Sequence, residues 1–448
     1  MHATRFVLRL AVVGLLAAAW NAGASPAATA QPLSAWRAAE TIEWPAETEL
    51  VPFENLEGMI LLRASLRGAT GADTAGLFVL DTGAGYLALD LPLARALGVS
   101  DSDGTPALVD LANRPLPSFT LGKLSMTDVE PLLTIDSQVI RRATDKNVLG
   151  LLGQQPLSDR AVWIDYRAGL TAMIPVEAPG RSDDGDEPEN PVQRSRGALA
   201  KVISARAAPV VFRIVGDGKA LVQVRVSSPR PPRFSRWLSL IVDTGASKTV
   251  LFAETLDRRI HARWPTLRGL TAPTLIGAAE AYLARIPALD VRAEAANVRV
   301  DGIDVAVIES GLSQMLSRVA EEQIHGLLGY SFLKRFRVVL DYPNRVLWLD
   351  PIPDYVDDRP LEYSHVGIQL ERREGRVVVA AVARGSPAAR AGIGRDDELV
   401  AIDGKTAKDI NLRSLAGMIE GEPGSAITLT VRRDAVARTH RLRRRQLL

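Results

Sequence analysis

Two aspartates in this chain have neighbours that suit hydrolysis by a pair of carboxyl groups. Asp81 and Asp243 each end an apolar run, and each begins the tetrapeptide Asp-Thr-Gly-Ala. A single aspartate in this position usually opens a turn by bonding its own backbone. Two of them permit a second interpretation, in which one carboxylate takes a proton from water while the other, protonated, donates to a peptide carbonyl.

The residues that follow each aspartate fit a close pair. Two carboxyl groups that share one proton must lie side by side, which raises one pKa, and the pKa values then belong to the pair. Gly83 and Gly245 would let two loop backbones meet. The hydroxyl groups of Thr82 and Thr244 can then bond across the join.

The elements that must position these residues form two copies of one β-rich unit. Short apolar strands separated by Gly-rich turns lead to each aspartate. A second repeated block follows in each copy, at 148–174 and 324–350, and the two blocks align without a gap at GLLG and at DY. The repeat predicts a mainly β fold with two lobes, residues 51–177 and 198–353.

These motifs resemble the aspartic protease clan of pepsins and retroviral proteases. Each half has the apolar strand with Asp-Thr-Gly-Ala and a later Leu-Leu-Gly, at 151–153 and 327–329, which in that family runs behind the catalytic loop. The resemblance implies a catalytic dyad of Asp81 and Asp243, polypeptide substrates, and no cofactor. It also implies residues that support the catalytic loops, namely Thr82, Gly83, Thr244, Gly245 and Ser247.

Two departures from the family pattern affect these expectations. Two lobes on one chain resemble pepsin, but short lobes with Ala84 and Ala246 after the glycines resemble the retroviral enzymes, so we expect an asymmetric pseudo-dimer of retropepsin-like lobes. Alanine offers no hydroxyl to the carboxylate, so we expect activity nearer neutral pH than pepsin's. Gly85 stands where the other lobe has Ser247, and the sequence does not say which aspartate holds the proton.

A hairpin flap closes over the substrate in that family and follows the catalytic loop in sequence. The candidates are 106–116 and 267–282, where Gly269 and Gly277 can supply hinges. Neither stretch has a distinctive motif. An ordinary surface hairpin is an equal alternative for both.

The chain changes character twice outside the lobes. Residues 178–197 consist mainly of Pro, Gly and charged residues, which predicts a flexible linker. Residues 360–446 read as a small α+β domain. Within it, HVGI at 365–368 and GSPAARAGIGRDDELVAIDGK at 385–405 resemble a PDZ domain of the kind attached to exported bacterial proteases.

The PDZ resemblance implies a groove for a C-terminal peptide. Such a peptide adds a strand beside residues 366–370, places its carboxylate on loop N–H groups, and turns side chains toward a helix. The alternative is a groove that docks on the protease lobes or is unused. The implied groove residues are Val366, Gly367, Ile368, Leu412 and Leu415.

The first 30 residues have the features of an export signal. Two arginines precede a short apolar run, and small-residue cleavage sites end at Ala24 and Ala30. The run is too short to span a bilayer. We therefore expect residues 1–30 to be a signal peptide and the protein to be exported without a transmembrane anchor, to the periplasm or, as the alternative, beyond the cell. Residues 31–50 would be a lead-in, for which a propeptide is one interpretation.

Composition excludes several other classes of function. The chain has no cysteine, so thiol nucleophiles and disulfides are absent, and its five histidines are scattered without an HExxH motif. We therefore expect neither a metal site nor a Ser-His-Asp triad. The formal charge of +2 gives no basic field for nucleic acid.

The sequence thus predicts an exported aspartic endopeptidase whose PDZ domain recruits substrate or regulates access. The alternative is a catalytically inactive peptide-binding protein or adaptor that uses the lobe cleft and the PDZ groove. Because both half-sites lie on this chain, a single-lobe protease that must dimerise is disfavoured. We expect a monomer.

Overall fold

The computed structural model describes part of the chain, residue by residue. The described residues are 41–67, 73–99, 108–109, 118–126, 132–178, 190–229, 231, 233–274, 277–309, 311–357 and 359–448. The predicted signal peptide, residues 31–40 of the lead-in, and most of the first flap candidate lie outside them.

The first lobe consists mainly of strands. Its strands are β1 (Glu49–Leu56), β2 (Met59–Arg67), β3 (Asp73–Leu80), β4 (Leu87–Asp90), β5 (Leu108–Val109), β6 (Ser118–Leu121), β7 (Leu124–Met126), β8 (Leu132–Ile135), β9 (Val148–Leu152), β10 (Arg160–Asp165) and β11 (Leu170–Pro175). Its helices are α1 (Leu91–Ala96), α2 (Gln138–Thr144) and a 3₁₀ turn (Gln155–Leu157).

The second lobe repeats this plan. A helix and a strand precede it, α3 (Pro191–Ala198) and β12 (Ala208–Val211). Its strands are β13 (Arg213–Val215), β14 (Lys219–Ser228), β15 (Arg233–Phe234), β16 (Leu238–Val242), β17 (Thr249–Phe252), β18 (Thr266–Thr274), β19 (Gly277–Val291), β20 (Val298–Ile308), β21 (Gly326–Leu328), β22 (Phe336–Asp341) and β23 (Val346–Pro351). Its helices are a 3₁₀ turn (Ala253–Thr255), α4 (Arg258–His261), α5 (Leu312–Ala320) and α6 (Tyr330–Leu333).

The C-terminal domain is a small α+β unit with its own apolar core. Its strands are β24 (Ser364–His365), β25 (Ile368–Arg373), β26 (Arg376–Val382), β27 (Glu398–Ile402), β28 (Lys405–Thr406), β29 (Ala426–Arg433), β30 (Val436–Arg443) and β31 (Arg445–Gln446). Its helices are α7 (Pro387–Arg390) and α8 (Leu412–Ile419). The fold is therefore mainly β with a small α+β domain, as predicted.

Binary patterning explains why the lobe strands form. In β2 the second half alternates buried and exposed residues, whereas β16 is buried along its whole length. Alternation of buried and exposed residues is typical of a strand with one solvent-exposed face. A continuous apolar run is typical of a central strand that is covered on both faces. Accordingly β16 lies inside its sheet, between β14 and β21.

The repeated DY blocks join the two lobes. Each block forms an antiparallel hairpin, β10 with β11 and β22 with β23. The two hairpins pair with each other through β10 and β22, with Val162 opposite Leu340. One continuous sheet therefore crosses from lobe 1 to lobe 2, which fixes the lobes relative to each other.

Part of the predicted linker is a helix, which corrects the sequence interpretation for residues 190–197. Asn190 caps α3 by accepting the N–H of Val192. Ser195 is buried, donates to Asp341, and accepts the indole N–H of Trp348 at 2.8 Å. The polar composition concealed this helix because only two of its residues, Val192 and Ser195, are buried against the rest of the protein.

Candidate active site

The two aspartates occupy equivalent positions in the two lobes. Strand β3 runs parallel to β9, and β16 runs parallel to β21. The N–H of Asp81 donates to Leu152 O at 3.0 Å, and the N–H of Asp243 donates to Leu328 O at 3.0 Å. The Leu-Leu-Gly elements therefore hold both aspartates at the ends of central strands.

The paired threonines tie the two loops together. The N–H of Thr82 donates to Thr244 Oγ1 at 3.1 Å, and the N–H of Thr244 donates to Thr82 Oγ1 at 3.1 Å. Each hydroxyl then donates across the lobe boundary, to Val242 O at 2.9 Å and to Leu80 O at 2.7 Å. These four buried bonds satisfy all the polar groups they involve and set the distance between the loops.

The loops meet so closely that only glycine fits at the contact. A Cβ on Gly83 would lie 2.6 Å from Asp243 Cγ, and one on Gly245 would lie 2.8 Å from Asp81 Cγ. Carbon atoms in contact normally stay about 3.5 Å apart or more. Each glycine therefore makes room for the aspartate of the opposite lobe, so the structure brings the two carboxyl groups together.

Backbone N–H groups hold one oxygen of each carboxyl. Asp81 Oδ1 accepts from Gly83 and Ala84 at 3.0 and 3.1 Å. Asp243 Oδ1 accepts from Gly245 and Ala246 at 2.8 and 3.0 Å. The carboxyl orientation is thus fixed by the backbone of its own loop, without a hydroxyl at the fourth position.

The second oxygen of each carboxyl is buried and faces no donor when both groups are ionised. Both side chains are fully buried. Burial raises the pKa of Asp81, and burial together with the charge of Asp81 raises the pKa of Asp243 well above its usual value. A proton shared between the two carboxyls supplies the missing donor and removes one buried charge.

Ser247 lies beside a buried network of charges. It borders a small cavity with Lys248 and Glu362, which form an ion pair in which each side chain is 8% exposed. Although burial opposes it, Lys248 and Arg359 lower the pKa of Glu362 to about 2. Arg359 also pairs with Glu57 of lobe 1, so the segment before the C-terminal domain joins both lobes.

The residues predicted to line the peptide groove of the C-terminal domain are engaged within that domain. Gly367 N–H, the expected carboxylate donor, is bonded to His365 Nδ1 at 2.9 Å. Burial lowers the pKa of His365 to about 4, so its ring is neutral and accepts this bond. The other predicted groove residues are at most 3% exposed and belong to the domain core, namely Val366, Ile368, Leu412 and Leu415.

The second flap candidate forms a hairpin that the C-terminal domain holds. The β18–β19 hairpin spans the predicted stretch 267–282. Thr271 N–H donates to Gln369 Oε1 at 3.0 Å, and Gln369 Nε2 donates back to Thr271 O at 3.2 Å. The N–H of Arg384 donates to Arg268 O at 2.7 Å. The outer strand of the hairpin is thus bonded to the domain that follows the lobes.

The same face of the C-terminal domain also contacts lobe 1. Helix α2 lies against β25, and Arg372 Nε donates to Asp145 Oδ1, at the end of that helix, at 2.7 Å. Strand β25 would present the predicted peptide-binding edge. These contacts fit the alternative of a groove that docks on the protease lobes, although Gln369 and Arg372 carry no sequence signal that distinguishes docking residues from solvated ones.

The described residues contain neither a candidate metal site nor a candidate membrane-spanning helix. Its histidines and acidic residues form no group of three or more that could hold a metal ion. None of its helices is long and apolar enough to cross a membrane.

Two family comparisons match separate parts of the chain. The family described as aspartyl protease matches residues 235–332, which lie in lobe 2 and include Asp243. The family described as PDZ domain matches residues 364–443.

Several proteases are similar to this chain over a short stretch of fewer than 100 residues. They include the carboxy-terminal processing protease CtpA of Bacillus subtilis (strain 168), 27% identical over 96 residues, which are 19% of this chain and 21% of that protein. A probable CtpA-like serine protease of Staphylococcus aureus (strain COL) is 26% identical over 86 residues, 19% of this chain and 17% of that protein. The chain thus spans about a fifth of the length of these relatives.

Similar solved structures include two proteases. The aspartic proteinase from Irpex lacteus is 12% identical with a TM-score of 0.39, over 70% of this chain and 99% of that one. The photosystem II D1 C-terminal processing protease is 27% identical with a TM-score of 0.18, over 19% of this chain and 24% of that one. The two family matches by themselves show an aspartyl protease domain, matched at 235–332, followed by a PDZ domain, matched at 364–443.

Proposed function

We propose that this protein is an exported aspartic endopeptidase that hydrolyses peptide bonds with water activated between Asp81 and Asp243. The observation that carries the proposal is the buried pair of carboxyl groups, brought together by Gly83 and Gly245 and lacking a donor for one oxygen each. Burying two unpaired acceptors side by side costs free energy, and a purely structural role for these aspartates does not explain that cost.

The proposed reaction needs only the dyad and water. One carboxylate takes a proton from water as the water oxygen bonds to the scissile carbonyl carbon, and the other carboxyl gives its proton to the carbonyl oxygen. The resulting tetrahedral diol breaks its C–N bond as a carboxyl protonates the amine and a diol proton returns to the pair. Every proton is conserved, so no covalent enzyme intermediate is required.

The surroundings of other candidate bases support the aspartic type over the serine type in the names of the CtpA relatives. His325 Nδ1 and His365 Nδ1 accept backbone N–H groups, from Ser239 and Gly367. The buried Lys248 is held by Glu362. These groups are engaged elsewhere, whereas the dyad has free acceptor capacity.

Inhibition separates the two reaction types. We expect cleavage of a denatured-protein mixture to be blocked by a peptide with a secondary alcohol in place of the scissile carbonyl, which imitates the diol. A serine-directed phosphonate should leave cleavage unchanged. Inactivation by the phosphonate, with stoichiometric labelling of one serine, would refute the aspartic mechanism.

We further propose that the PDZ domain regulates entry to this cleft. The dyad is fully buried, so a substrate must displace something to reach it. The β18–β19 hairpin is the candidate flap, and Gln369 holds its outer strand by two hydrogen bonds at Thr271. A peptide added beside β25 would compete for the face that now contacts the hairpin and α2.

Weakening these contacts should speed cleavage. We expect Gln369→Ala combined with Asp145→Asn to raise kcat/KM several-fold, because the hairpin would open at lower cost. Asparagine tolerates the left-handed conformation at position 145, where φ is 59°. Arg376→Ala, on the neighbouring strand, is the matched control. Unchanged or lower kcat/KM in the double variant, with the control at wild-type level, would contradict the regulatory role.

Export is proposed from residues 1–30 alone. Their charged start, apolar run and small-residue sites have the pattern of a cleaved signal. N-terminal sequencing of the protein recovered from the cell envelope should find a start after Ala24 or Ala30; an intact Met1 in the cytoplasmic fraction would contradict it.

A further inference from the structure

Lys219 is a buried cation whose role the proposed mechanism does not yet include. It begins strand β14, its side chain is 1% exposed, and its ammonium is paired with Asp217, whose side chain is 10% exposed. Lysine is almost never fully buried without a partner. The pair therefore occupies a place where an apolar residue would cost less, which calls for a reason beyond packing.

The turn that carries this pair reaches across to the catalytic loop of the other lobe. A Cβ on Gly85, four residues after Asp81, would lie 2.4 Å from Asp217 O and 2.5 Å from Asp217 Cγ. Glycine is required at position 85 because the Asp217 turn fills that space. Gly85 of lobe 1 thus makes room for the turn that carries the ion pair. Lobe 2 has Ser247 at the corresponding position.

The equivalent turn of lobe 1 carries no such lysine. Strands β2 and β14 correspond, since Leu61 lies opposite Val79 and Leu221 lies opposite Ile241, each two residues before a dyad aspartate. By this register, Met59 stands where Lys219 stands in the other lobe. The dyad therefore has a buried ammonium near Asp81, whereas lobe 1 has a buried, uncharged methionine at the matching position.

We propose that Lys219 is a positioning residue of the dyad, whose ammonium keeps the negative charge on Asp81 and the shared proton on Asp243. The proposal rests on the proposed function for its meaning in catalysis. In that reaction Asp81 is the carboxylate that takes the proton from water, and Asp243 is the acid that donates to the carbonyl oxygen.

The charges around the dyad agree with this assignment. Asp81 faces Asp243, Lys219 and the phenol of Tyr342. Against the burial that raises the pKa of Asp81, Asp243, the backbone N–H of Gly83 and the Lys219 charge all lower it. Asp243 faces Asp81 and the phenol of Tyr166, and its pKa is raised well above the usual value. Both phenols are buried, and their pKa values are raised by burial, so they stay neutral.

Two substitutions with opposite expected signs test the proposal. Lys219→Met installs the residue of the other lobe and removes the cation, so the acidic limb of kcat/KM should move to higher pH by about one unit. Asp217→Asn leaves Lys219 without its counter-charge, so the same limb should move to lower pH. A purely structural ion pair would lower activity in both variants without opposite shifts of the limb.

A second measurement keeps the test independent of cleavage. The side-chain ¹³C resonances of Asp81 and Asp243, titrated in wild type and both variants, report where the proton resides even if no substrate is cleaved. We expect the first protonation on Asp243 in wild type and redistribution toward Asp81 in Lys219→Met. First protonation on Asp81 in wild type, or no opposite shifts in the variants, overturns the proposal. If Lys219→Met does not fold, Lys219→Gln takes its place.

Failure of the two proposals is distinguishable. A wild-type protein that cleaves nothing but shows the expected ¹³C titration would refute the proposed function and leave the role of Lys219 standing. If both variants cleave substrate and the acidic limb of kcat/KM does not move, the proposed role of Lys219 is refuted and the proposed function stands.

Discussion

Replacing Asp243 by asparagine is expected to slow peptide cleavage by about 10²–10⁴-fold, the range for losing a group that transfers a proton in the transition state. Asparagine keeps the size of the side chain and can still accept the N–H groups of Gly245 and Ala246. Its amide is not an acid, so it cannot transfer a proton to the substrate carbonyl. Asp81→Asn should lose as much, because the pair acts as a unit.

Asp243→Asn should not unfold the protein. The pH dependence of stability gives the direction in which this substitution changes the Tm. Burial raises the folded-state pKa of Asp243 well above its usual value. Folding therefore favours the protonated form, and stability falls as pH rises from the ordinary aspartate pKa toward the raised one. The substituted asparagine carries no charge, so the Tm of Asp243→Asn should be at least that of wild type at neutral pH. The difference should shrink as the medium is made acidic.

Thermal unfolding of both proteins across this pH range checks the prediction. A variant that is inactive because it has lost its fold would show a lower Tm at every pH and would leave the catalytic claim without support from the activity loss. A fully stable variant with wild-type cleavage would refute the role of Asp243 outright.

Gly83→Ala should abolish most activity by forcing the two loops apart. The new Cβ would lie 2.6 Å from Asp243 Cγ. This clash can be relieved only if the two threonine-bonded loops or the buried carboxyl move. Overpacking of this kind costs about 1–3 kcal/mol of stability. Since a shift of about 1 Å in a reacting group can cost about 10²-fold in rate, cleavage should fall by about that factor while the protein remains folded.

A matched control separates the local clash from a general effect of alanine. Gly197 lies in helix α3, and a Cβ there would meet nothing within 4 Å. Gly197→Ala should therefore keep full activity and gain stability slightly, because alanine favours helix over glycine. Normal cleavage by Gly83→Ala would show that the loops do not need their present spacing.

The sequence predicted those parts of the site that repeat. Two copies of Asp-Thr-Gly-Ala and of Leu-Leu-Gly indicated paired strands and a meeting of Asp81 with Asp243, and the structure places them together. Repetition works as evidence because one packing solution must serve both copies. The PDZ signature was equally readable, since it depends on a local pattern within residues 364–443.

The parts that could not be predicted depend on contacts between units. Gln369 and Arg372 look like ordinary strand residues, and only the packed arrangement shows that they hold the hairpin and α2. Helix α3 has the polar composition of a linker, and the packing of its Val192 and Ser195 against Trp348 is evident only in the structure. Lys219 did leave a signal, a charged residue opening the apolar strand KALVQV, but the sequence did not reveal its burial beside the other lobe.

The most direct test of the account is digestion of one denatured-protein library by four proteins in parallel: wild type, Asp81→Asn, Asp243→Asn and the double variant. We expect cleavage by wild type and the same residual rate in all three variants, since removing either carboxyl destroys the shared-proton site. Equal cleavage by all four, losses that multiply in the double variant, or no cleavage by wild type from strongly acidic to neutral pH would contradict it.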